Sequence, residues 1–447
     1  MSVRREVSWP VDTAAVARSL ARSGAWCWLD GEAEAPDEAP GRSYLGAASE
    51  VRIAECGEEG AFLAGLRARG GAARAADDVS GGFSGGWVTA LSYEFGVALL
   101  GLPPAADDAA PGFALRLDAV LVLDHSRGVA ELCGESEQAL DDWLAAHGGA
   151  LGAEAQEPAA TQEFGGGRAV WRRSAGEYRA QVEACRAAIR DGEAYVLCLT
   201  DTAELRGTAV EALELYLRLR AGGIAARGGV VQAGDRALVS ASPERFLSVR
   251  GDRVSTHPIK GTRPRGADAR EDARLGAELA DDPKERAENL MIVDLMRNDL
   301  SRVCEPGTVA VDGFLRVESH PRVHQLVSTV TGRLTEGLDA VDVIEVCFPG
   351  GSMTGAPKRR AVEILAGLER APRGLYSGCF GWIDRGGDAE LAMSIRGVEL
   401  RGIGGAAPAA LVGAGGGITV DSDAGREHGE KLGKAAPMLR ALGVETA

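Results

Sequence analysis

The chain is short of several things that would class a protein at once. No stretch of its 447 residues is an apolar run of membrane-spanning length, so no membrane partner is expected. Positive charge is in deficit: 49 Lys and Arg against 65 Asp and Glu leave a formal net charge of -16. A nucleic-acid partner needs a basic face for its phosphates, and that balance argues against one. The eight cysteines include no Cys-x-x-Cys pair, which fits reduced thiols better than a disulfide frame or a zinc site. The segment "MSVRREVSWPVDT" has no apolar core behind Arg4 and Arg5, so it does not read as a signal peptide. Together these point to a cytoplasmic protein. Solenoid-length repeats are also missing.

What remains is ordinary for a folded chain, with 45% hydrophobic and 26% charged residues. The length predicts two domains or one large two-layer domain. Residues 151–170 are mostly Ala, Gly and Glu without an apolar period, which predicts a linker between domains at 1–150 and 171–447. Stretches 83–96 and 113–128 read as strands broken by Gly and Asp. Tyr178, Val182, Cys185 and Ile189 recur at helical spacing before the strand-like "YVLCLT". Gly251-Asp252 marks a hairpin turn, 284–303 and 424–442 read as helices, and "ELAMSIRGVEL" and "AALVGAGGGITV" as strands. Strands and helices mix without regular βαβ alternation, so the predicted class is α+β.

Four features carry chemistry. Glu285 with Glu288, and Glu427 with Glu430, each stand three apart and so share a helix face. Turned toward each other, two such faces suit Mg²⁺, which takes carboxylates and water; apart, they are solvated helix surfaces. The run "VGAGGGITVDSD" brings backbone N–H groups close to an anion, or is a flexible turn. It is neither a dinucleotide fingerprint nor a P-loop. "FPGGSMTGAPKRRA" places Ser352 and Thr354 before a helix start, as a carboxylate seat or as a plain loop and cap. "STHPIKGTRPRG" sets Lys260 between a rigid Pro-Ile and a flexible Gly-Thr, unusual framing for a lysine that only meets water.

The segments "PIKGTRPRG", "AENLMIVDLMRNDLSRV", "HQLVSTVTG", "FPGGSMTGAPKRRA", "YSGCFGW", "LAMSIRGVEL" and "GAGGGITVDSDAGREHGEK", in that order, resemble the chorismate-utilising enzymes. The likeness is dense over about 170–440 and looser in "GGWVTALSYE" and "LDHSRG". It implies an anthranilate synthase component I-like fold, with antiparallel sheets sandwiching the core and helices outside. Within the family, anthranilate synthases read Pro-Ile-Ala-Gly-Thr at this position and aminodeoxychorismate synthases Pro-Ile-Lys-Gly-Thr, as here. The resemblance therefore implies that Lys260 is a nucleophile, attacking C2 of chorismate as the C4 hydroxyl leaves, before ammonia enters at C4. An alkylammonium pKa of about 10.4 makes such a lysine inert unless desolvation or nearby cations lower it.

By the same resemblance Glu244 in "SPERF" is the general acid for the departing hydroxyl. Glu288 and Glu430 are Mg²⁺ ligands, with Glu285 and Glu427 as nearer or water-bridged partners. Gly261, Thr262 and Thr354 line the substrate, and His324 lies near its ring and C4 oxygen. Tyr376 and Arg396 take the enolpyruvyl carboxylate, and Gly415, Gly417 and Lys434 close the ring-carboxylate seat. Val196 stands where water-adding relatives carry a lysine base, which weakens that reading. A tryptophan-feedback motif is not evident in "WCWLDGEAE". No Gly-x-Cys-x-Gly glutaminase nucleophile occurs, so the expected ammonia source is a separate glutamine amidotransferase subunit or solution. The expected product is 4-amino-4-deoxychorismate, on the way to p-aminobenzoate for folate or an antibiotic. The alternatives are anthranilate or 2-amino-2-deoxyisochorismate synthesis, and, more remotely, a non-catalytic chorismate-binding paralogue.

Overall fold

A computed structural model describes residues 3–31, 41–67, 82–152, 167–320 and 323–444. Two antiparallel sheets face each other. The larger runs in the order Val3–Val7, Val129–Gly134, Ala119–Asp124, Arg42–Ala47, Ala25–Asp30, Arg227–Ala233, Arg236–Ser242, Gly397–Arg401, Ala409–Ile418, Val196–Arg206 and Gly355–Ala356. The smaller runs Ile259–Pro264, Val323–Arg333, Arg253–His257, Arg245–Arg250, Ala389–Met393, Cys379–Asp384, Gly86–Leu91, Gly112–Leu117 and Glu50–Ile53.

The residues explain this arrangement. Cys27, Leu29, Val88, Leu115, Val231 and Phe380 project from both sheets into one shared core. The outer face of the large sheet, with Trp26, Trp28, Val239 and Val412, is covered by helices that include Thr13–Ala21, Ala212–Ala221 and Ala424–Ala441. That of the small sheet is covered by Pro283–Ser301 and Ala340–Cys347. Strands buried on both faces read as continuous apolar runs, which is why Ala119–Asp124 shows no polar alternation. The α+β expectation and the sandwich hold.

The boundary expected at residue 150 does not divide the structure: both sheets contain strands from either side of it, so 1–150 and 171–447 build one sandwich. Residues 153–166 of the expected linker lie outside the described residues, and Val170–Trp171 pairs with Val196–Arg206. The hairpin turns where expected, Arg250 opposite Arg253. Two readings need correction. Stretch 83–96 is a strand only to Leu91; Ser92 accepts from the Phe95 N–H and starts a helix. "ELAMSIRGVEL" is two strands in different sheets, Ala389–Met393 and Gly397–Arg401, because the chain turns at Arg396 with φ of 53°.

One buried guanidinium ties three segments together. Arg373, 3% exposed, donates to both Glu369 oxygens at 2.8 and 2.7 Å, to the Met353 carbonyl at 2.7 Å and to the Cys198 carbonyl at 2.9 Å. Glu369 also accepts from the Thr200 N–H and hydroxyl. Arg373→Leu leaves that carboxylate buried and unpaired, and should destabilise the fold by about 3–5 kcal/mol in urea unfolding. Arg373→Lys should recover only part of this, since a lysine lacks the planar fork. A leucine variant within about 1 kcal/mol of wild type would show that the cluster does not hold these segments.

Candidate active site

The two helices bearing the paired glutamates start at well-made caps. Asp282 accepts from the Lys284 and Glu285 N–H groups, with Pro283 at the first helical position. Asp423 accepts from the Arg426 N–H and starts Ala424–Ala441. Both helices turn their glutamate faces toward the glycine-rich strand Ala409–Ile418. A Cβ on Gly416 would lie 3.2 Å from a Glu427 oxygen and 3.8 Å from one of Glu430. One on Gly417 would lie 3.4 Å from a Glu288 oxygen. The glycines leave open a space bordered by oxygens of Glu427, Glu430 and Glu288.

That space belongs to a cavity of about 540 Å³, within the usual size range for a small-molecule site. Its lining includes Glu244, Lys260, Gly261, Thr262, Glu285, Glu288, Tyr376, Arg396, Gly415, Gly417, Glu430 and Lys434. Lys260 Nζ lies 3.5 Å from the Ser352 carbonyl oxygen, and the Ser352 side chain hydrogen-bonds Glu244. Gly261 takes φ of 85°, which turns the strand after Lys260. Gly413 has no side chain, so the Tyr376 ring can lie against its strand. Arg396 sits at the crossover between the sheets, its guanidinium 3.4 Å from the Lys434 carbonyl. Lys434 reaches Glu430 at 2.6 Å and the Gly415 carbonyl at 2.9 Å.

Electrostatics separate the two candidate catalysts. Burial pushes the Glu244 carboxyl above its ordinary range, against the pull of Lys260, Ser352, Arg227 and Lys434. That suits a proton-holding acid. Lys260 runs contrary to expectation. Burial works to lower its pKa, but Cys198 and the carboxylates of Glu288, Glu244 and Glu430 outweigh it and raise the value. Cys198 is itself held protonated by burial, so the carboxylates are the physical cause. Lys260 is an ammonium in this state. Burial also lowers the Arg396 pKa, with Tyr376 and Glu430 opposing.

His324 and Thr354 are not in the cavity lining. His324 is 3% exposed, its ring between Ser319 at 2.8 Å and Asp272 at 2.9 Å. Successive strand residues point to opposite faces, so it is Gln325 that faces the cavity. Thr354 is fully buried and its hydroxyl donates to the Gly350 and Gly351 carbonyls, which closes the loop. The expected carboxylate seat at that helix start does not form, since the helix begins at Lys358 and Lys358 pairs with Asp299 at 2.6 Å. Glu427 lies just behind the lining, accepting from Ser422 at 2.7 Å. Sequence reasoning missed Lys284, Gln325, Cys198 and Gly413. The signal for Lys284 was its place four residues before Glu288.

The donor chemistry suits Mg²⁺: glutamate oxygens on two facing helices, converging over glycines. Among the described residues no three acidic side chains close on one point; Lys284 lies within ion-pair distance of Glu288 and Glu427, and Lys434 of Glu430. Five cationic side chains and four carboxylates line the cavity, Lys260, Arg263, Lys284, Arg396 and Lys434 against Glu244, Glu285, Glu288 and Glu430. A small anionic molecule with more than one carboxylate matches that excess together with a divalent cation.

The chorismate binding enzyme family matches residues 32–440. The aminodeoxychorismate synthase of Streptomyces pristinaespiralis is 39% identical over 372 residues, 80% of this chain and 51% of that protein. The anthranilate synthase component 1 of Mycobacterium tuberculosis is 37% identical over 381 residues, 80% of this chain and 73% of that protein. A crystal structure of anthranilate synthase component I from Streptococcus pneumoniae superposes with a TM-score of 0.78 at 26% identity, covering 97% of this chain and 100% of that one. The chain spans about half the length of the aminodeoxychorismate synthases it matches. With a family match over most of its length and the same sandwich in a solved relative, the chain belongs to the chorismate binding enzymes.

Proposed function

We propose that the chain aminates chorismate at C4, giving 4-amino-4-deoxychorismate through a covalent Lys260 adduct. The observation that carries this reading is a lysine nucleophile candidate in the cavity, sharing Ser352 with a buried carboxyl, Glu244. The relatives named aminodeoxychorismate synthase support it. Those named anthranilate synthase support the rival, amination at C2.

Proton placement decides the chemistry. At rest the proton sits on Lys260; the reactive form carries it on Glu244, leaving a neutral amine beside an acid. Burial favours that neutral pair by raising Glu244. The Lys260 amine then attacks C2, the ring double bonds shift and the C4–O bond breaks. The hydroxyl takes the Glu244 proton and leaves as water. Ammonia attacks C4, the double bonds shift back and the C2–N bond breaks, releasing Lys260 as amine. A proton from the new ammonium restores Glu244. Arg396, Lys434 and Tyr376 hold the substrate, and Gly261 and Thr262 border its ring. Gln325 offers an amide to a ring substituent but no titrating proton.

Glu288 and Glu430 would hold Mg²⁺, with Glu285 and Glu427 in support. When bound, the ion supplies a positive charge that neutralises carboxylates and fixes a substrate carboxylate. Activity should vanish in excess EDTA and return with Mg²⁺. Glu288→Gln or Glu430→Gln should weaken Mg²⁺ binding at least tenfold, with circular dichroism unchanged. Full turnover in EDTA would remove the metal from the reaction.

A separate glutamine amidotransferase is the proposed ammonia source, for a chain located in the cytoplasm. Ammonium salts should support turnover by the purified chain, increasingly as pH rises toward the ammonium pKa. Glutamine should do so only after an amidotransferase subunit is added. Glutamine-dependent synthesis by the chain alone would refute this.

Lys260→Ala should lose 4-amino product by roughly a hundredfold or more, the scale of losing a covalent or acid–base group. Chorismate binding should persist through Arg396 and Lys434. Residual amination should shift to C2, while Glu244→Gln should lose every product. Wild-type enzyme quenched with chorismate and no ammonia should carry added mass on the Lys260 peptide. Undiminished 4-amination by the alanine variant would return Lys260 to a charge-balancing role.

A further inference from the structure

Lys284 occupies the middle of the glutamate cage. Its Nζ lies 3.5 Å from a Glu427 oxygen and 3.7 Å from a Glu288 oxygen, joining the two helices across the cavity. It lines the cavity, yet its side chain is 46% exposed, so the same four-carbon stem has a free path to solvent. Its position in the helix is electrostatically wrong. Lys284 is the second residue of Pro283–Ser301, where the helix dipole favours anions and repels a cation. The charge is tolerated there because two carboxylates, one from another helix, take it up.

We infer that Lys284 is a tethered counter-ion that competes with the divalent cation for Glu288 and Glu427, and so sets the affinity of the site. This rests on the Mg²⁺ reading above. Without metal the ammonium offsets half the charge of the two carboxylates and keeps the helices together. When the cation arrives, Lys284 moves to the cavity mouth, where its charge faces an incoming anionic substrate. Metal and substrate then bind in a favoured order, since the cation must first displace an internal lysine. The other charges facing this point are Glu285 on the same helix, Glu430 and Lys434 on the opposite one, and Lys260, which also acts on Glu288. Lys434 is committed to Glu430 at 2.6 Å and the Gly415 carbonyl. It does not bridge the helices, and Lys284 does.

The test compares the full chain and Lys284→Met, titrated with Mg²⁺ by calorimetry at low ionic strength without chorismate. Melting temperatures are measured in EDTA and in Mg²⁺. Lys284→Met should bind Mg²⁺ roughly threefold to tenfold tighter, the combined effect of two part-exposed ion pairs. It should also melt lower in EDTA, and gain more from Mg²⁺ than wild type does. Lys284→Gln provides a second neutral variant should methionine misfold, and Lys284→Arg should stay near wild type. Arg286→Met removes a charge from the same helix, but its guanidinium turns to the Ala280 carbonyl, so its affinity should change less than about twofold. Equal gains in Arg286→Met would assign the effect to net charge and overturn the inference. Unchanged or weaker binding by both neutral Lys284 variants would overturn it while leaving the metal reading intact. No Mg²⁺ binding by any of the proteins would overturn both.

Discussion

The site depends on a buried ion pair that does not touch it. Arg373 and Glu369 lie at the end of helix Lys358–Glu369 and the turn after it. Their remaining hydrogen-bonding capacity goes to backbone groups at Met353, Cys198 and Thr200. Met353 and Cys198 line the cavity, and Tyr376 follows Arg373 by three residues. Burying the pair is costly in itself, and replacing such pairs by apolar residues is often neutral for stability. Here the five guanidinium donors do something apolar packing cannot: they fix the turn after Glu369 against a loop and a strand that the Gly355–Ala356 pairing already joins to each other. The Tyr93 ring, 4.0 Å from the guanidinium, seals it from water.

Around that anchor the fold uses one of its changes of sheet to deliver a charge. Ala389–Met393 belongs to the small sheet and Gly397–Arg401 to the large one. The three residues between them must leave one layer and enter the other. Arg396 at the crossover is therefore held by two sheets at once, and its left-handed backbone aims it into the gap. The carboxylates come from helices on opposite outer faces, Pro283–Ser301 on the small sheet and Ala424–Ala441 on the large one. The cavity is where the sandwich opens enough for both helices to look inward. Neither sheet alone could assemble it.

Much of this was legible in the sequence. The helices read over 284–303 and 424–442 lie within two residues of the observed ends, and Asp282-Pro283 and Asp423 are the local signals that fix their starts. The motifs placed Lys260, Glu244, Tyr376, Arg396 and Lys434 around one cavity. What failed depended on long-range geometry. Whether His324 or Gln325 faces the substrate is a matter of strand register, and a one-residue shift exchanges the faces. Thr354 looked available because a hydroxyl before a helix usually caps it, but the helix begins four residues later. The two-domain division failed because sheet partners far apart in sequence leave no local trace: Ala25–Asp30 pairs with Arg227–Ala233 across about two hundred residues.

The reversed Lys260 pKa says most about how such a site operates. A lysine intended as a nucleophile would be simplest to activate in an apolar pocket, where desolvation alone frees the amine. This chain instead surrounds Lys260 with the carboxylates of Glu288, Glu244 and Glu430, which raise its pKa against burial. An ammonium is no nucleophile, so the proposed attack on C2 requires these carboxylates to release their hold on the proton. If Glu288 and Glu430 hold a cation as proposed, each would lose part of its hold on that proton. Glu244, raised by burial, is the neighbour best placed to accept that proton. On the proposed mechanism one transfer would make the lysine a nucleophile and the carboxylate an acid together. On that reading the charge balance among Lys260, Glu244, Glu288 and Glu430 is what a bound cation would shift.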